Sequence, residues 1–145
     1  MNCLPRFGRN ATEAITWSNT GTVPEMLIEY SLDAGSSWSP IQETEGTTSN
    51  DGIVTNDTPT SGGTFDWTVP DGISQSVRVR VASATDTDAT DQSSSDLRIH
   101  GAVQVLTPNG SESWEIGVSY AITWTTNGTV PEVKLEYSID AGNSW

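Results

Sequence analysis

Residues 25–38 read Glu25-Met-Leu-Ile-Glu-Tyr-Ser-Leu-Asp-Ala-Gly-Ser-Ser-Trp38, and this stretch carries the clearest structural pattern in the chain. Apolar and polar side chains alternate over its first half, and a period of two places them on opposite faces of a β-strand. The strand then meets Asp33-Ala-Gly35, residue types that favour a tight turn. The inward-facing residues predicted for this strand are Met26, Ile28, Tyr30 and Leu32.

The same pattern occurs a second time in the chain. Residues 121–145 repeat residues 14–38 with 17 of 25 positions identical, and each matched pair is separated by 107 positions. Solenoid and propeller repeats are shorter, at about 20 to 50 residues, whereas about 100 residues is the size of a whole β-sandwich domain. The 145 residues therefore contain one complete period and part of the next.

Four further segments show the same alternation of apolar and polar residues. The inward-facing residues predicted in them are Ile15 and Trp17; Phe65 and Trp67; Val77, Val79 and Val81; and Leu97 and Ile99. A short strand near residues 38–41 brings the first period to about six strands. Residues 43–60 and 82–95 are polar and rich in turn residues, so we predict long exposed loops there.

Short strands and frequent turn residues together predict an all-β fold. The predicted architecture is an antiparallel, immunoglobulin-like or fibronectin type III-like β-sandwich, repeated with a period of about 107 residues. Residues 1–100 are predicted to form the first sandwich domain, with its first strand missing or degenerate. Residues 101–145 are predicted to be the N-terminal part of a second, truncated repeat.

The segment Val103-Gln-Val-Leu-Thr107 is the candidate first strand of the second repeat, and the first repeat has no counterpart of it. A sheet that lacks a strand exposes an edge, and exposed edges recruit strands from other chains. We therefore predict that this segment serves its own repeat or is donated to a neighbouring chain. The predicted interface residues are Val103, Val105 and Thr107.

Charge and composition exclude several classes of function. The chain has 6 Lys and Arg residues against 19 Asp and Glu residues, and its net charge of −13 repels the phosphate backbone of nucleic acids. No apolar run approaches the roughly 20 residues that span a bilayer, so membrane insertion is not expected. A single Cys and a single His exclude a disulfide framework, a Cys/His zinc site and a Cys–His nucleophile pair.

Four acidic residues in and beside the second predicted loop are candidate ligands for calcium. They are Asp86, Asp88, Asp91 and Asp96. Carboxylate oxygens suit a hard cation, and calcium in such a loop would stiffen an acidic multidomain stalk. The spacing, central Gly and closing Glu of an EF-hand are absent, so a flexible polar loop is the alternative, and no other cofactor is predicted.

Several motifs, in this order, resemble the tandem immunoglobulin-like repeats of large bacterial cell-surface and secreted proteins. The motifs are Ile15-Thr-Trp17, Glu29-Tyr-Ser-Leu-Asp-Ala-Gly-Ser-Ser-Trp38, Trp67-Thr-Val-Pro70, Val77-Arg-Val-Arg80 and Pro108-Asn-Gly-Ser-Glu-Ser-Trp114. The resemblance implies an extracellular or cell-surface location. Such modules serve as spacers, adhesin stalks, filament subunits and appendages to enzymes, so the fold alone does not select among these functions.

The octet Ser-x-Asp-x-Gly-x-Ser-Trp, present twice, also resembles the Asp-box of sialidases and related propellers. In that motif the Asp and the Gly shape a hairpin turn and the Trp packs beneath it, which is a structural role. The residues that match it are Ser31, Asp33, Gly35 and Trp38, and then Ser138, Asp140, Gly142 and Trp145. The two octets are 107 residues apart and the chain has only five Arg residues, so a propeller enzyme is not expected.

These observations lead us to expect a non-catalytic structural module of an extracellular surface protein or filament, such as a stalk, adhesin or fibre subunit. Its expected partners are other copies of the same protein, assembled head to tail by strand complementation. The alternative is a carbohydrate-binding accessory module of a secreted enzyme, with polysaccharide as its partner and Trp rings as a stacking platform. Trp17, Trp67 and Trp124 share the inward parity of core residues. Trp38 and Trp145 belong to the octet turns, and only Trp114 has no structural assignment. We nominate no catalytic residues.

Overall fold

The computed structural model describes residues 12–42, 51–56 and 58–145, and within them the chain forms ten β-strands and no helix. Accordingly, no described helix is long and apolar enough to cross a membrane. The strands are β1 (Thr12–Trp17), β2 (Glu25–Ser31), β3 (Ser39–Pro40), β4 (Ile53–Thr55), β5 (Gly63–Thr68), β6 (Ser74–Ser83), β7 (Thr90–Gln92), β8 (Leu97–Ile99), β9 (Ala102–Thr107) and β10 (Thr123–Asn127).

The chain divides into two compact units, Met1–His100 and Gly101–Trp145. We call them unit 1 and unit 2. Unit 1 holds strands β1 to β8, and unit 2 holds strands β9 and β10. The predicted missing or degenerate first strand concerns residues 1–11, which lie outside the described residues.

Unit 1 contains two antiparallel sheets. In the first sheet, β1 pairs with β5 over six residues, from Thr12 opposite Thr68 to Trp17 opposite Gly63. In the second sheet, β2 and β6 form the central pair, and β3 and β4 share the other edge of β2 while β7 and β8 pair with β6. These pairings confirm the predicted all-β, antiparallel class.

Side chains from both sheets form one apolar core. The buried members of this core are Val23, Met26, Ile28, Ile41, Trp67, Val77 and Val79. Ile15, Trp17 and Phe65, from the β1–β5 sheet, pack against these residues. Burying an aliphatic side chain completely contributes about 1.5 to 3 kcal/mol, so the strands are held mainly by this shared layer. The arrangement is consistent with a β-sandwich.

The parity predicted for β2 is correct for Met26 and Ile28 and wrong for Leu32, which is exposed. The strand ends at Ser31, so the alternation no longer applies to the next residue. Leu32 instead lies against Gly72, where an added Cβ would be 2.9 Å from the Leu32 Cδ1 atom.

Both predicted loops contain strands, which sequence reasoning missed. Strand β4 and the buried Asn56 fall inside the predicted loop at residues 43–60, whose residues 43–50 and 57 are outside the described part. Strand β7 and the end of β6 fall inside residues 82–95. Each of β4 and β7 has only three residues, and each is held by backbone pairing, β4 with β2 and β7 with β6.

In unit 2, β9 pairs antiparallel with β10, from Ala102 opposite Asn127 to Thr107 opposite Thr123, with an irregularity between Thr123 and Trp124. This pairing confirms that residues 103–107 form a strand. The repeated block implies a counterpart of β2 over residues 133–139, where Val133, Leu135, Tyr137 and Ile139 alternate with polar residues, but no strand forms there. The reason is that β2 lies between β6 and β3 or β4, and residues 101–145, all of which are described, supply no equivalent neighbours.

Candidate functional site: a duplicated turn and a groove beside β1

The octet at residues 31–38 forms a tight, hydrogen-bonded turn after β2. Ser31 Oγ donates to Asp33 Oδ1 at 2.7 Å and accepts from Gly35 N at 2.8 Å. The two Asp33 oxygens accept from Ser37, Oδ1 from its backbone N at 2.8 Å and Oδ2 from its hydroxyl at 2.6 Å. Ala34 and Gly35 have φ angles of 58° and 89°, and these hydrogen bonds hold the backbone in that left-handed region.

The indole of Trp38 packs beneath this turn. A Cβ added at Gly35 would be 3.3 Å from Trp38 Cζ2, so a Gly lets the backbone approach the ring. On β6, the Arg80 guanidinium carbon lies 4.4 Å from the centroid of the Trp38 ring, within the range of a cation–π contact. Arg80 Nε also donates to Glu29 Oε2 at 2.6 Å, which ties the turn to the β2–β6 pair.

The octet at residues 138–145 forms the same turn in unit 2. Ser138 Oγ donates to Asp140 Oδ1 at 2.7 Å, and Asp140 accepts from Ser144 N at 2.9 Å and from Ser144 Oγ at 2.6 Å. The corresponding distances in the two turns agree within 0.1 Å. The surroundings of the two turns differ. Trp38 is in contact with Arg80 of β6, whereas Trp145 is exposed.

These hydrogen bonds lower the pKa of both turn carboxyls. The largest cause is the Ser37 hydroxyl for Asp33 and the Ser144 hydroxyl for Asp140, and each pKa falls from 3.8 to about 2. A general acid or base works best with a pKa near the operating pH. Both carboxylates are therefore ionised at neutral pH and accept hydrogen bonds from their own turns.

Three of the four carboxylates predicted to bind calcium, those of Asp86, Asp91 and Asp96, have hydrogen-bond or ion-pair partners within the protein. Asp86 Oδ1 accepts from Asp88 N at 3.1 Å, and Asp91 Oδ1 accepts from Gln92 N at 2.8 Å. Asp96 Oδ1 is 2.8 Å from Arg78 Nε in an ion pair. Within residues 12–42, 51–56 and 58–145, no three Asp, Glu, His or Cys side chains are grouped to hold a metal ion. The structure thus does not assemble the four into a ligand set, and calcium binding stays a prediction.

A groove of about 600 Å³ runs beside β1 in unit 1. Its walls are residues 13–18 on one side, and residues 91–93 and 97–99 on the other. Trp67 and the β6 valines lie at its apolar floor. Sequence reasoning missed this groove, because it forms where two sheet edges from distant parts of the chain face each other.

The predicted interface residues lie on β9. Val103 and Val105 are each 48% exposed, and Thr107 is exposed at the end of the strand. Their backbone pairs with β10, with Val105 opposite Trp124 and Val103 opposite Thr126. The structure therefore presents these side chains on a strand that has one partner among the described residues.

Trp114, which had no structural assignment, stacks on Tyr120. The ring centroids are 5.4 Å apart and the planes differ by 13°. The Tyr120 hydroxyl accepts from Glu115 N at 3.2 Å, which anchors one side of the pair. Both rings are exposed.

Comparison with known proteins finds no matching protein family, curated protein or solved structure.

Proposed function

We propose that this chain is a non-catalytic structural module: a tandem immunoglobulin-like repeat of an extracellular surface protein or filament, such as a stalk, adhesin or fibre subunit. The observation that carries the proposal is the duplicated turn. Residues 31–38 and 138–145 form it with the same hydrogen bonds, although the surroundings of the two copies differ. A chain that repeats one module gains length with each copy, which is the property that a stalk or fibre needs.

The sheets of unit 1 support the immunoglobulin-like assignment. Such domains have about 100 residues and place consecutive strands in two facing sheets. In unit 1, β1 and β5 form one sheet while β2 and β6 lie in the other, and their side chains share a core. The repeat period of 107 residues is of the same size.

The proposed mechanism is mechanical. A sandwich core holds the strands against extension, and the net charge of −13 keeps neighbouring modules soluble and apart. Copies associate head to tail, because an open strand edge on one chain accepts a strand from the next in a contact that does not close on itself. The partners are then neighbouring copies of the same protein, and the strong negative charge argues against nucleic acid.

Light scattering combined with electron microscopy tests the proposal on the full chain. We expect the mass to grow with concentration and regular polymers to form. Repeating the measurement with calcium determines whether the acidic residues of the β6–β7 region contribute to assembly. A single-chain mass at every concentration, with and without calcium, would contradict self-association.

The exposed Trp114–Tyr120 pair favours a second candidate, a carbohydrate-binding accessory module. Stacked aromatic rings with an open face bind the apolar faces of sugars. A titration with soluble polysaccharides, followed by Trp fluorescence, tests this function. Saturation that is lost in Trp114→Ala and kept in Trp145→Ala supports it, and a flat response in the unsubstituted chain excludes it for the sugars used.

A further inference from the structure

The groove in unit 1 is bounded by two strand edges. Residues 13–18 line it consecutively, so side chains of both parities contribute. A sheet face would contribute every second residue, whereas a backbone edge contributes all of them. The opposite wall, residues 97–99 of β8, is also continuous. Among the described strands, β1 pairs with β5 alone, so its other edge carries backbone groups without a strand partner.

The interior of the groove is apolar and its rim is polar. Trp67, Val77 and Val79 lie at the floor, while Glu13, Asp91 and Arg98 belong to the walls. Trp17 also lines the groove, and its buried Nε1 atom has no hydrogen-bond partner among the described residues. An extended peptide segment fits such a groove, because its backbone pairs with the strand edge while every second side chain enters the apolar interior.

Unit 2 shows which segment pairs with the residues that correspond to the end of this edge. Strand β10 begins in the repeated block, at positions that correspond to residues 16–20, and β9 is its antiparallel partner. In unit 2 this protein therefore places β9 against residues that correspond to the end of β1, Thr16 and Trp17, and to the three residues that follow it.

The chemistry of β9 fits the groove of unit 1. Its sequence, Ala102-Val-Gln-Val-Leu-Thr107, has no charged residue in a chain of net charge −13, so it approaches the acidic rim without added repulsion. Val103 and Val105 share one face of the strand, and each is half exposed in unit 2.

Little holds β9 in its own unit. The β9–β10 pair is a two-stranded sheet, and no residue between 101 and 145 is buried. An isolated pair of strands is marginally stable in water. Moving β9 into an apolar groove would bury side chains that are now solvated, and apolar burial contributes about 25 cal/mol per Å².

We infer that the groove beside β1 is an acceptor site for β9 of a second copy of this chain. This inference rests on the proposed self-association and names its joint. The register follows from unit 2, where Val105 lies opposite Trp124 and Gln104 opposite Thr125. Transferred by 107 positions, Val105 of the donor lies opposite Trp17 of the acceptor and Gln104 opposite Ser18.

Intermolecular disulfide trapping tests this register. All chains carry Cys3→Ser, one population carries Ser18→Cys and the other Gln104→Cys, so every mixed disulfide joins two molecules. Residues directly opposite in an antiparallel pair have Cα atoms about 4.5 to 5.5 Å apart, which a disulfide spans. The matched control replaces Ser18→Cys by Glu13→Cys, also on the groove wall but about 17 Å further along the strand at about 3.3 Å per residue.

We expect the Ser18 and Gln104 pair to form mixed dimers at least about tenfold faster than the Glu13 and Gln104 pair. If polymers form but the two pairs cross-link equally, the acceptor site is wrong and the proposed self-association stands. If the chain is monomeric and neither pair cross-links, both are wrong, and the groove is filled within one chain or by another ligand.

A second pair of variants tests which face of β9 enters the groove. Val105→Asp puts a charge on the inserted face, and Gln104→Asp puts the same charge on the adjacent residue of the other face. Both positions are exposed in unit 2, so neither change disturbs the core of unit 1. We expect Val105→Asp to weaken association by about tenfold or more, and Gln104→Asp to have a much smaller effect. Equal effects of the two variants would overturn the inference.

Discussion

Residues 14–38 and 121–145 differ at only eight of 25 positions, yet they have different structures in the two units. Ile28 is completely buried, whereas its counterpart Leu135 is 55% exposed. Residues 25–31 form a strand, whereas residues 132–138 do not. The turn after each of these segments, by contrast, is the same in both units.

This difference between the units distinguishes structure that is formed by contacts within one segment from structure that needs contacts with other strands. The turn needs only the Ser, Asp and Gly of its own octet, because all its hydrogen bonds join residues at most four positions apart. The strand needs neighbours, because its backbone hydrogen bonds and its apolar face are satisfied by other strands. In unit 1, β6 supplies one neighbour and β3 and β4 supply the other.

The largest expected contrast is between equivalent core positions. Ile28→Ala removes a fully buried side chain and should lower the free energy of unfolding by about 2 to 5 kcal/mol. Leu135→Ala, at the matching position of unit 2, should change it by less than about 0.5 kcal/mol. Urea denaturation of the full chain measures both. Equal losses would show that residues 121–145 are packed as tightly as residues 14–38.

A second contrast compares two Gly residues with the same backbone conformation. Gly52 in unit 1 and Gly117 in unit 2 have φ angles of 79° and 81°, so an Ala is equally strained at both. A Cβ at Gly52 would lie 2.6 Å from the Ile28 carbonyl oxygen, and one at Gly117 would meet nothing within 4 Å. Gly52→Ala should therefore cost about 1 to 3 kcal/mol more than Gly117→Ala. The same denaturation assay measures this, and equal costs would mean that Gly52 is not close to β2.

The third contrast concerns the Trp beneath each turn. Arg80→Ala removes the contact with Trp38 and leaves the Glu29 carboxylate, whose side chain is 14% exposed, without its ion-pair partner. We expect a loss of about 1 to 2 kcal/mol. We also expect Trp38 to become accessible to an acrylamide quencher, as the exposed Trp145 already is. Arg98→Ala, at an exposed residue of β8, is the control and should change stability by less than about 0.5 kcal/mol.

The smallest contrast is expected between the two turn carboxyls, which should titrate alike. Both Asp33 and Asp140 have a pKa lowered from 3.8 to about 2, so each favours the folded turn when ionised. This contribution is complete above pH 3.8 and is lost as the pH falls towards about 2. Carboxyl ¹³C chemical shifts measure the two titrations. An ordinary pKa for Asp140 alone would mean that the turn of unit 2 needs a packed neighbour.

Serine variants sharpen the same comparison. The Ser37 and Ser144 hydroxyls are the largest cause of the lowered pKa in their respective turns. Ser37→Ala should therefore raise the pKa of Asp33 towards 3.8, and Ser144→Ala should do the same for Asp140. A change in only one of the two turns would contradict their equivalence.

The alternation of apolar and polar residues identified strands that have one buried face and one exposed face. It missed the strands that are too short to show an alternation. β2, β5 and β6 alternate apolar and polar residues because one face of each packs on the core, and Met26, Trp67 and Val77 are buried as predicted. β4 and β7 have three residues each, too few to show an alternation, and their positions depend on the backbone of β2 and β6. No local pattern marks such strands.

The candidate sites also divide into those formed by residues close together in the sequence and those formed by distant residues. The octets could be predicted from sequence, because the hydrogen bonds of each turn lie within eight residues. The groove could not, because residues of β1, β6, β7 and β8, which are distant along the chain, line it together. The calcium site predicted from acidic residues clustered along the chain stays a prediction: Asp96 pairs with Arg78 of β6, and the Asp86 and Asp91 carboxylates accept from backbone N atoms of neighbouring residues.

Amide hydrogen exchange at low and high protein concentration tests the central claim most directly. The claim is that unit 1 is a folded module whose groove takes β9 from a second chain. We predict strong protection of residues 26–31 at both concentrations, and protection of residues 102–107 that rises with concentration together with that of residues 16–20. Protection of residues 102–107 that is independent of concentration, with the chain monomeric throughout, would contradict the account.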